Sequence, residues 1–287
     1  MAKNRTKTRY RAIWISDIHL GTRGCQAELL LDFLKHHECD DLYLVGDILD
    51  GWRLRRSPYW NASQSKVLQY LLKWSRKRGG VTLIPGNHDE ALRDYAGFDF
   101  AGVKVEQEVV HTTADGRRLW VLHGDEFDGI VHGHRWLAHV GDRAYQLALW
   151  MNGLYNRWRR LRGKPYWSLS AYLKHRVKNA VEFICRFEEQ LATQAKKRGF
   201  DGVVCGHIHH AEIRDIDGVL YCNDGDWVES CTALVEHFDG RLEILDWPTI
   251  AGARVAAEGA RIALDEEHES DFDEHEPEPR TASDAGA

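Results

Sequence analysis

Five short segments, spread over most of the chain, hold residue types that bind divalent cations. They are Asp17-Ile18-His19, Gly46-Asp47-Ile48-Leu49-Asp50, Gly86-Asn87-His88-Asp89, His123-Gly124-Asp125 and Gly206-His207-Ile208-His209. Hard carboxylate and amide oxygens mixed with imidazole nitrogens suit two cations held side by side, an arrangement that hydrolyses phosphate esters. A carboxylate that bridges the pair lets both cations polarise one water, and Asp47 is the candidate bridge because the preceding glycine leaves room beside it. Asp17, His19 and His209 then complete one site, and Asn87, His123 and His207 the other. In extended backbone, residues two apart point the same way, so Asp17 with His19, and His207 with His209, are each expected to address one cluster.

His88 follows a candidate ligand and is expected to face the substrate, where an imidazole can bind a phosphoryl oxygen or protonate a leaving group. Asp50, three residues beyond the bridge, is the expected partner that orients the ring. Asp125 reads equally as a supporting residue or a turn residue. His111, His132, His134, His139, His175 and His210 read as ordinary core or surface histidines.

The first three motifs each follow a predicted strand: Arg11 to Ser16, Leu42 to Val45 and Val81 to Ile84. Helical periods lie between them, through Leu29, Leu30, Phe33 and Leu34, and from Val67 to Trp74. Alternating strand and helix predicts parallel α/β structure, whose ligands gather beyond strand ends. Further on, Asp115-Gly116, Asp217-Gly218 and Asp239-Gly240, each flanked by strand-like residues, predict hairpins. Together these signals predict two stacked sheets with helices outside.

Between His123 and His207 the strand rhythm stops. Apolar residues step by three or four through Trp136, Val140, Ala144, Leu147, Met151, Leu154 and Trp158. They do so again through Leu169, Leu173, Val177, Ala180, Ile184, Phe187 and Leu191. Two amphipathic helices are predicted, interrupted at Gly163-Lys164-Pro165. From 129 to 200 there are fourteen Lys and Arg against four acids, and four of the eleven tryptophans. The expected domain division is therefore 1–128 with 201–248 as the catalytic body, 129–200 as a basic helical insertion and 249–287 as a C-terminal segment.

Net charge is -6, but ten of the acids follow Gly259, from Asp265 onward, opposed there only by Arg280; the remainder carries 34 acids against 37 Lys and Arg. The body is mildly basic, and the acidic tail is expected to be disordered because it has little apolar surface to bury. The six cysteines lack CxxC or framework spacing, which points to reduced thiols and a cytoplasmic protein. The basic start runs straight into a strand, so neither a signal peptide nor a spanning helix is expected.

These motifs resemble the DxH, GDxxD, GNH(D/E), H and GHxH signature of the calcineurin-like metallophosphoesterase superfamily over roughly Ile13 to Trp247. The resemblance implies a four-layer αββα sandwich with a dinuclear centre, commonly manganese, with iron or zinc also compatible. It implies the same seven ligands, and a His88 and Asp50 pair that assists the leaving group. Within the superfamily the chain looks most like the UDP-2,3-diacylglucosamine pyrophosphatase group of lipid A biosynthesis. That similarity rests on length, on the Ile15-Ser16-Asp17-Ile18-His19-Leu20 opening and on the position of the helical insertion. It implies a lid over acyl chains, release of UMP and a lipid monophosphate, and peripheral contact with the cytoplasmic face of the inner membrane. Arg157, Arg159, Arg160 and Lys164 are the expected substrate anchors. One residue departs from the group: those enzymes carry arginine after the ligand asparagine, and this chain has His88. A phosphodiesterase acting on nucleotides or nucleic acid is the alternative. A binding scaffold that has lost catalysis is disfavoured because no ligand type is missing. Sequence leaves the oligomeric state open.

Overall fold

In a computed structural model of the protein, the described residues are 7–78, 80–127 and 169–253. The order begins with β1 (Thr8–Ile15), α1 (Ala27–His36), β2 (His37–Val45), α2 (Gly51–Arg56), α3 (Ala62–Arg78) and β3 (Val81–Ile84). Four short strands follow: β4 (Asp99–Phe100), β5 (Val103–Val105), β6 (Val109–Thr112) and β7 (Arg118–Val121). The rest is α4 (Leu169–Lys197), β8 (Gly202–Cys205), β9 (Glu212–Ile216), β10 (Val219–Asn223), β11 (Thr232–Glu236) and β12 (Leu242–Asp246).

Among the described residues the strands form two sheets. One runs β12-β11-β1-β2-β3-β5-β4 and the other β6-β7-β8-β10-β9. In the first, β1, β2, β3 and β5 are parallel; in the second, β7, β8 and β10 are parallel. Antiparallel hairpins close the flanks: β6–β7 and β9–β10 turn at the predicted Asp-Gly pairs, and Asp239-Gly240 lies between β11 and β12. At the Asp217-Gly218 turn both residues have positive φ, 53° and 81°, the conformation of a type I′ hairpin. The β4–β5 hairpin and the six-residue α2 carry too short a period to be read from sequence.

The middle of β1 shows how burial follows from this layering. Ala12, Ile13, Trp14 and Ile15 are all fully buried, as expected for a parallel strand covered on both faces. Ala12 and Trp14 join Tyr43, Val45 and Ile84 against Leu119, Val121, Val204 and Cys222, which fills the space between the sheets. α4 covers the second sheet: Phe187, Leu191, Ala192 and Ala195 pack on Trp120, Leu122, Val203, Cys205 and Tyr221. The helix predicted from Leu169 to Leu191 is thus present, and its C-terminal half is core. Two sheets with helices outside match the expected sandwich. The helix predicted over Trp136 to Trp158 and the acidic tail lie outside the described residues, as do His132, His134 and His139. No described helix is long and apolar enough to cross a membrane. The six cysteines are free thiols. The chain divides into two compact units after Leu245; in the second, residues 247–253 are helical.

A buried polar network ties the sheets together. Glu236 on β11 is fully buried, its carboxylate 2.7 Å from His111 Nε2 on β6 and accepting from Ala114 N at 2.7 Å. Arg11 of β1 donates to both Glu236 oxygens and to the Thr112 carbonyl, while Tyr43 Oη lies 3.0 Å from His111 Nδ1. His111 is therefore a satisfied core group, as the sequence reading expected. Burial pushes the Glu236 carboxyl up, but hydrogen bonds from His111, Ala114 and Arg11 outweigh it and hold the group below its ordinary 4.5. Ionised Glu236 hence stabilises the fold above that pH, and the contribution fades as pH falls through the depressed folded value. Glu236→Gln should lower stability by about 2 to 3 kcal/mol at neutral pH and flatten the acid limb of the stability curve. Urea unfolding between neutral pH and acid reads both effects.

Candidate metal centre

All five motifs lie at the C-terminal ends of parallel strands, β1, β2, β3, β7 and β8. The two sheets therefore deliver them to one rim. The loops after β1 and β2 also bond to each other: Asp17 N, His19 N and Leu20 N donate to the carbonyls of Gly46, Asp47 and Ile48 at 2.9 to 3.0 Å.

The expectation that Asp17 with His19, and His207 with His209, are aligned by extended backbone is not met. Asp17, His19, Asp47, His207 and His209 all adopt left-handed backbone, with φ between 48° and 70°. Asp17 and His19 converge with His209 because the chain coils tightly after β1, and Asp and His tolerate that region better than bulkier residues. Each such residue stores on the order of 1 kcal/mol or more of strain, which the surrounding core sustains. Glycines supply the remaining space. A Cβ at Gly46, φ 82°, would overlap the His123 ring, and one at Gly86 would sit on the Asp47 carboxylate and 2.7 Å from His123 Nε2.

Asp47 is central. Its Oδ2 lies 3.8 Å from His19 Nε2 and 3.9 Å from His88 Nε2; its Oδ1 lies 3.6 Å from His123 Nε2 and accepts from His88 N at 2.8 Å. Its two oxygens thus face different imidazoles. Asp17 Oδ1 is 2.8 Å from His209 Nε2 and 3.7 Å from His19 Nε2, while its Oδ2 accepts from Ser16 Oγ and His207 N. Among the described residues at this rim, three sets of donor atoms lie within 4.8 Å of one another: Asp17, His19 and His209; His19, Asp47 and His88; and Asp17, Asp47 and His123; a fourth set, away from the five motifs' carboxylates, is Glu188, His210 and Glu212. Asn87 is buried in the β3 loop, and the His207 ring stands 5.1 Å from His123 without entering any of these sets. A His88 ring nitrogen lies in the same set as His19 and Asp47, a proximity its position in the sequence did not suggest. Arg157, Arg159, Arg160 and Lys164 lie outside the described residues.

The residues fit a pair of cations. The Asn87 amide oxygen and nitrogen and His123 Nε2 are buried without hydrogen-bond partners. His123 Nδ1 is 2.9 Å from the Val45 carbonyl, so Nδ1 carries the proton and Nε2 is left to ligate. Electrostatics agree. Burial pushes Asp17 and Asp47 up, yet the neighbouring imidazoles hold both low. Burial likewise opposes charge on His19 and His123, but the carboxylates raise each to about 10. Protons thus occupy ground that cations would take.

Several supporting residues escaped the sequence reading. Asp89, the last residue of its motif, accepts from Ile48 N, Leu49 N and Gly86 N and so clamps the β2 loop to the β3 loop. Asp224, beyond β10, receives the Ser16 hydroxyl behind Asp17, and burial keeps its carboxyl well above the usual range. Asp89 stands at the last position of the GNH(D/E) motif, whereas no spacing marks Asp224. Asp125 is held by Arg93 Nη2 at 2.6 and 2.8 Å, linking the β7 loop to the turn after β3. Among the other histidines, His210 is half exposed.

The calcineurin-like phosphoesterase family model matches residues 10–211. No curated protein matches the chain. Among solved structures, Yfce, a phosphoesterase from E. coli, is 14% identical with TM-score 0.38, covering 82% of this chain and 98% of its own. A novel archaeal phosphodiesterase is 12% identical with TM-score 0.39 over 82% and 98%. Vps29 from Entamoeba histolytica, complexed with zinc, is 13% identical with TM-score 0.37 over 82% and 98%.

Because raised imidazoles must lose protons when cations bind, binding should weaken as pH falls, by about tenfold per pH unit for each proton released. Titration calorimetry of the metal-free protein in buffers of different ionisation enthalpy counts those protons. A proton count of zero would contradict the charge balance described above.

Proposed function

Since the chain belongs to the calcineurin-like phosphoesterase family and is a metal-dependent hydrolase, we propose that it cleaves the pyrophosphate of UDP-2,3-diacylglucosamine or a related lipid-linked nucleotide sugar. The products would be UMP and a lipid phosphate. The observation that carries the hydrolytic reading is Asp47, whose two carboxylate oxygens face separate groups of imidazoles at the shared rim. In this assignment Asp17, His19 and His209 hold one cation, Asn87, His123 and His207 the other, and Asp47 bridges. Bound there, two divalent ions, manganese, iron or zinc, would supply a nucleophilic hydroxide and neutralise phosphoryl charge. A water that has given its proton to solvent would add to phosphorus as the bond to the leaving oxygen breaks, and His88 would pass a proton to that oxygen. Asp50 Oδ2 lies 3.1 Å from His88 Nδ1.

Support for the lipid-linked substrate comes from the segment 129–200, whose fourteen basic residues and four tryptophans suit phosphates and acyl chains. Arg157, Arg159, Arg160 and Lys164 are the proposed anchors, and contact with a membrane would be peripheral. His88 in place of arginine favours a second reading, hydrolysis of nucleotide or nucleic-acid diesters. Nucleic-acid binding would fall steeply with added salt.

A panel run with manganese separates these readings. The diacylated nucleotide-sugar pyrophosphate should be hydrolysed at least about tenfold faster than its deacylated analogue, since buried methylenes contribute to binding; equal rates would end the lipid reading. Asp47→Ala should abolish metal-dependent hydrolysis of any substrate, and a variant that keeps most of its activity would remove the bridge assignment.

A further inference from the structure

The ring of His88 is not fixed by its acid partner alone. His88 Nδ1 is buried and faces Asp50 Oδ2 at 3.1 Å, but without the alignment of a hydrogen bond. Two other rings touch it: His19, edge-on with centroids 4.6 Å apart, and Trp52, with centroids 4.3 Å apart and planes tilted by 34°. Trp52 is the second residue of α2, and that helix is anchored from three directions. Asp50 Oδ1 accepts from Arg53 N at 2.8 Å as the N-cap, and Gly51 N donates to the His88 carbonyl at 3.0 Å. Leu54 seats on Gly21, where a Cβ would come within 2.6 Å of Leu54 Cγ.

We propose that Trp52 is a positioning residue that holds the His88 imidazole at the angle from which it protonates the leaving group. Trp52 is 39% exposed and is not part of the core packed between or against the sheets, and its ring lies against that of His88. Ring contacts of this kind contribute about 0.5 to 1.5 kcal/mol, enough to select one orientation of a ring whose other tether is loose. The same carboxylate that caps α2 faces His88, so helix, indole and imidazole adjoin one another. The adjacency of α2 to the β3 loop creates the contact. The proposal rests on the leaving-group role assigned to His88 above.

The test compares the metal-loaded wild type, Trp52→Ala, Trp52→Phe, His88→Ala and the Trp52→Ala/His88→Ala double variant. Each acts on a nitrophenyl phosphodiester, whose leaving group needs no proton, and on an alkyl phosphodiester, whose leaving group does. Trp52→Ala should lower kcat on the alkyl ester by about tenfold or more, leave KM within about twofold and barely affect the nitrophenyl ester. Trp52→Phe should recover most of the loss, and adding Trp52→Ala to His88→Ala should cost nothing further. Elemental analysis should find unchanged metal content in every variant. Equal losses on both esters, or full additivity in the double variant, would overturn the positioning role. If His88→Ala discriminates between the esters and Trp52→Ala does not, the positioning proposal alone fails. A His88→Ala variant indifferent to the leaving group would remove both roles.

Discussion

Negative charge packed where water is scarce is the constraint around which this protein is built. Asp17, Asp47, Asp50, Asp89 and Asp224 are all buried around one rim. Two unit charges 4 Å apart interact by about 4 kcal/mol at an effective dielectric near 20, so such a cluster survives only when positive charge is interleaved with it. The carboxylates are met in different ways: Asp17 and Asp47 by imidazoles, Asp50 by His19, His88 and the Arg53 amide, Asp89 by three backbone amides, while burial raises the Asp224 carboxyl. The imidazoles that balance the cluster with protons are the ones that would release them to cations.

That balance requires strands from both sheets to end together. β1, β2 and β3 supply one half of the rim and β7 and β8 the other, so the centre exists only if the sheets are correctly stacked. Packing of Trp14, Tyr43, Val45, Val121 and Val204 between them sets the spacing, and the network of Glu236, His111 and Arg11 fixes how one sheet sits on the other. Stability of the core and geometry of the rim are therefore one problem. The left-handed backbone at five of the candidate ligands adds strain that only a rigid frame can carry.

The loops at the rim differ in what holds them. Those after β1 and β2 share main-chain hydrogen bonds, the β3 loop is clamped by Asp89, and the β7 loop is tied back through Asp125 to Arg93. His88 differs: it belongs to one candidate set with His19 and Asp47, and it also contacts Trp52 of the partly exposed helix α2.

Residue types and strand order were legible in the chain because both are local. A carboxylate or imidazole after an apolar run, and a glycine beside it, announce themselves within a few residues, as do the Asp-Gly hairpins and the alternation from β1 to β3. Sequence therefore determined the fold class and the set of candidate ligands. Only tertiary structure decided how those residues meet. The coiled backbone at Asp17, His19, His207 and His209 follows from contacts between loops, and local pattern predicts extended chain there instead. Asp89, Asp224 and Trp52 acquire their roles from partners such as Ile48, Ser16 and His88 that only the packed sheets bring within reach. The physical reason is range: propensity and periodicity act over a few residues, whereas electrostatic balance and ring contact act between segments the chain separates widely.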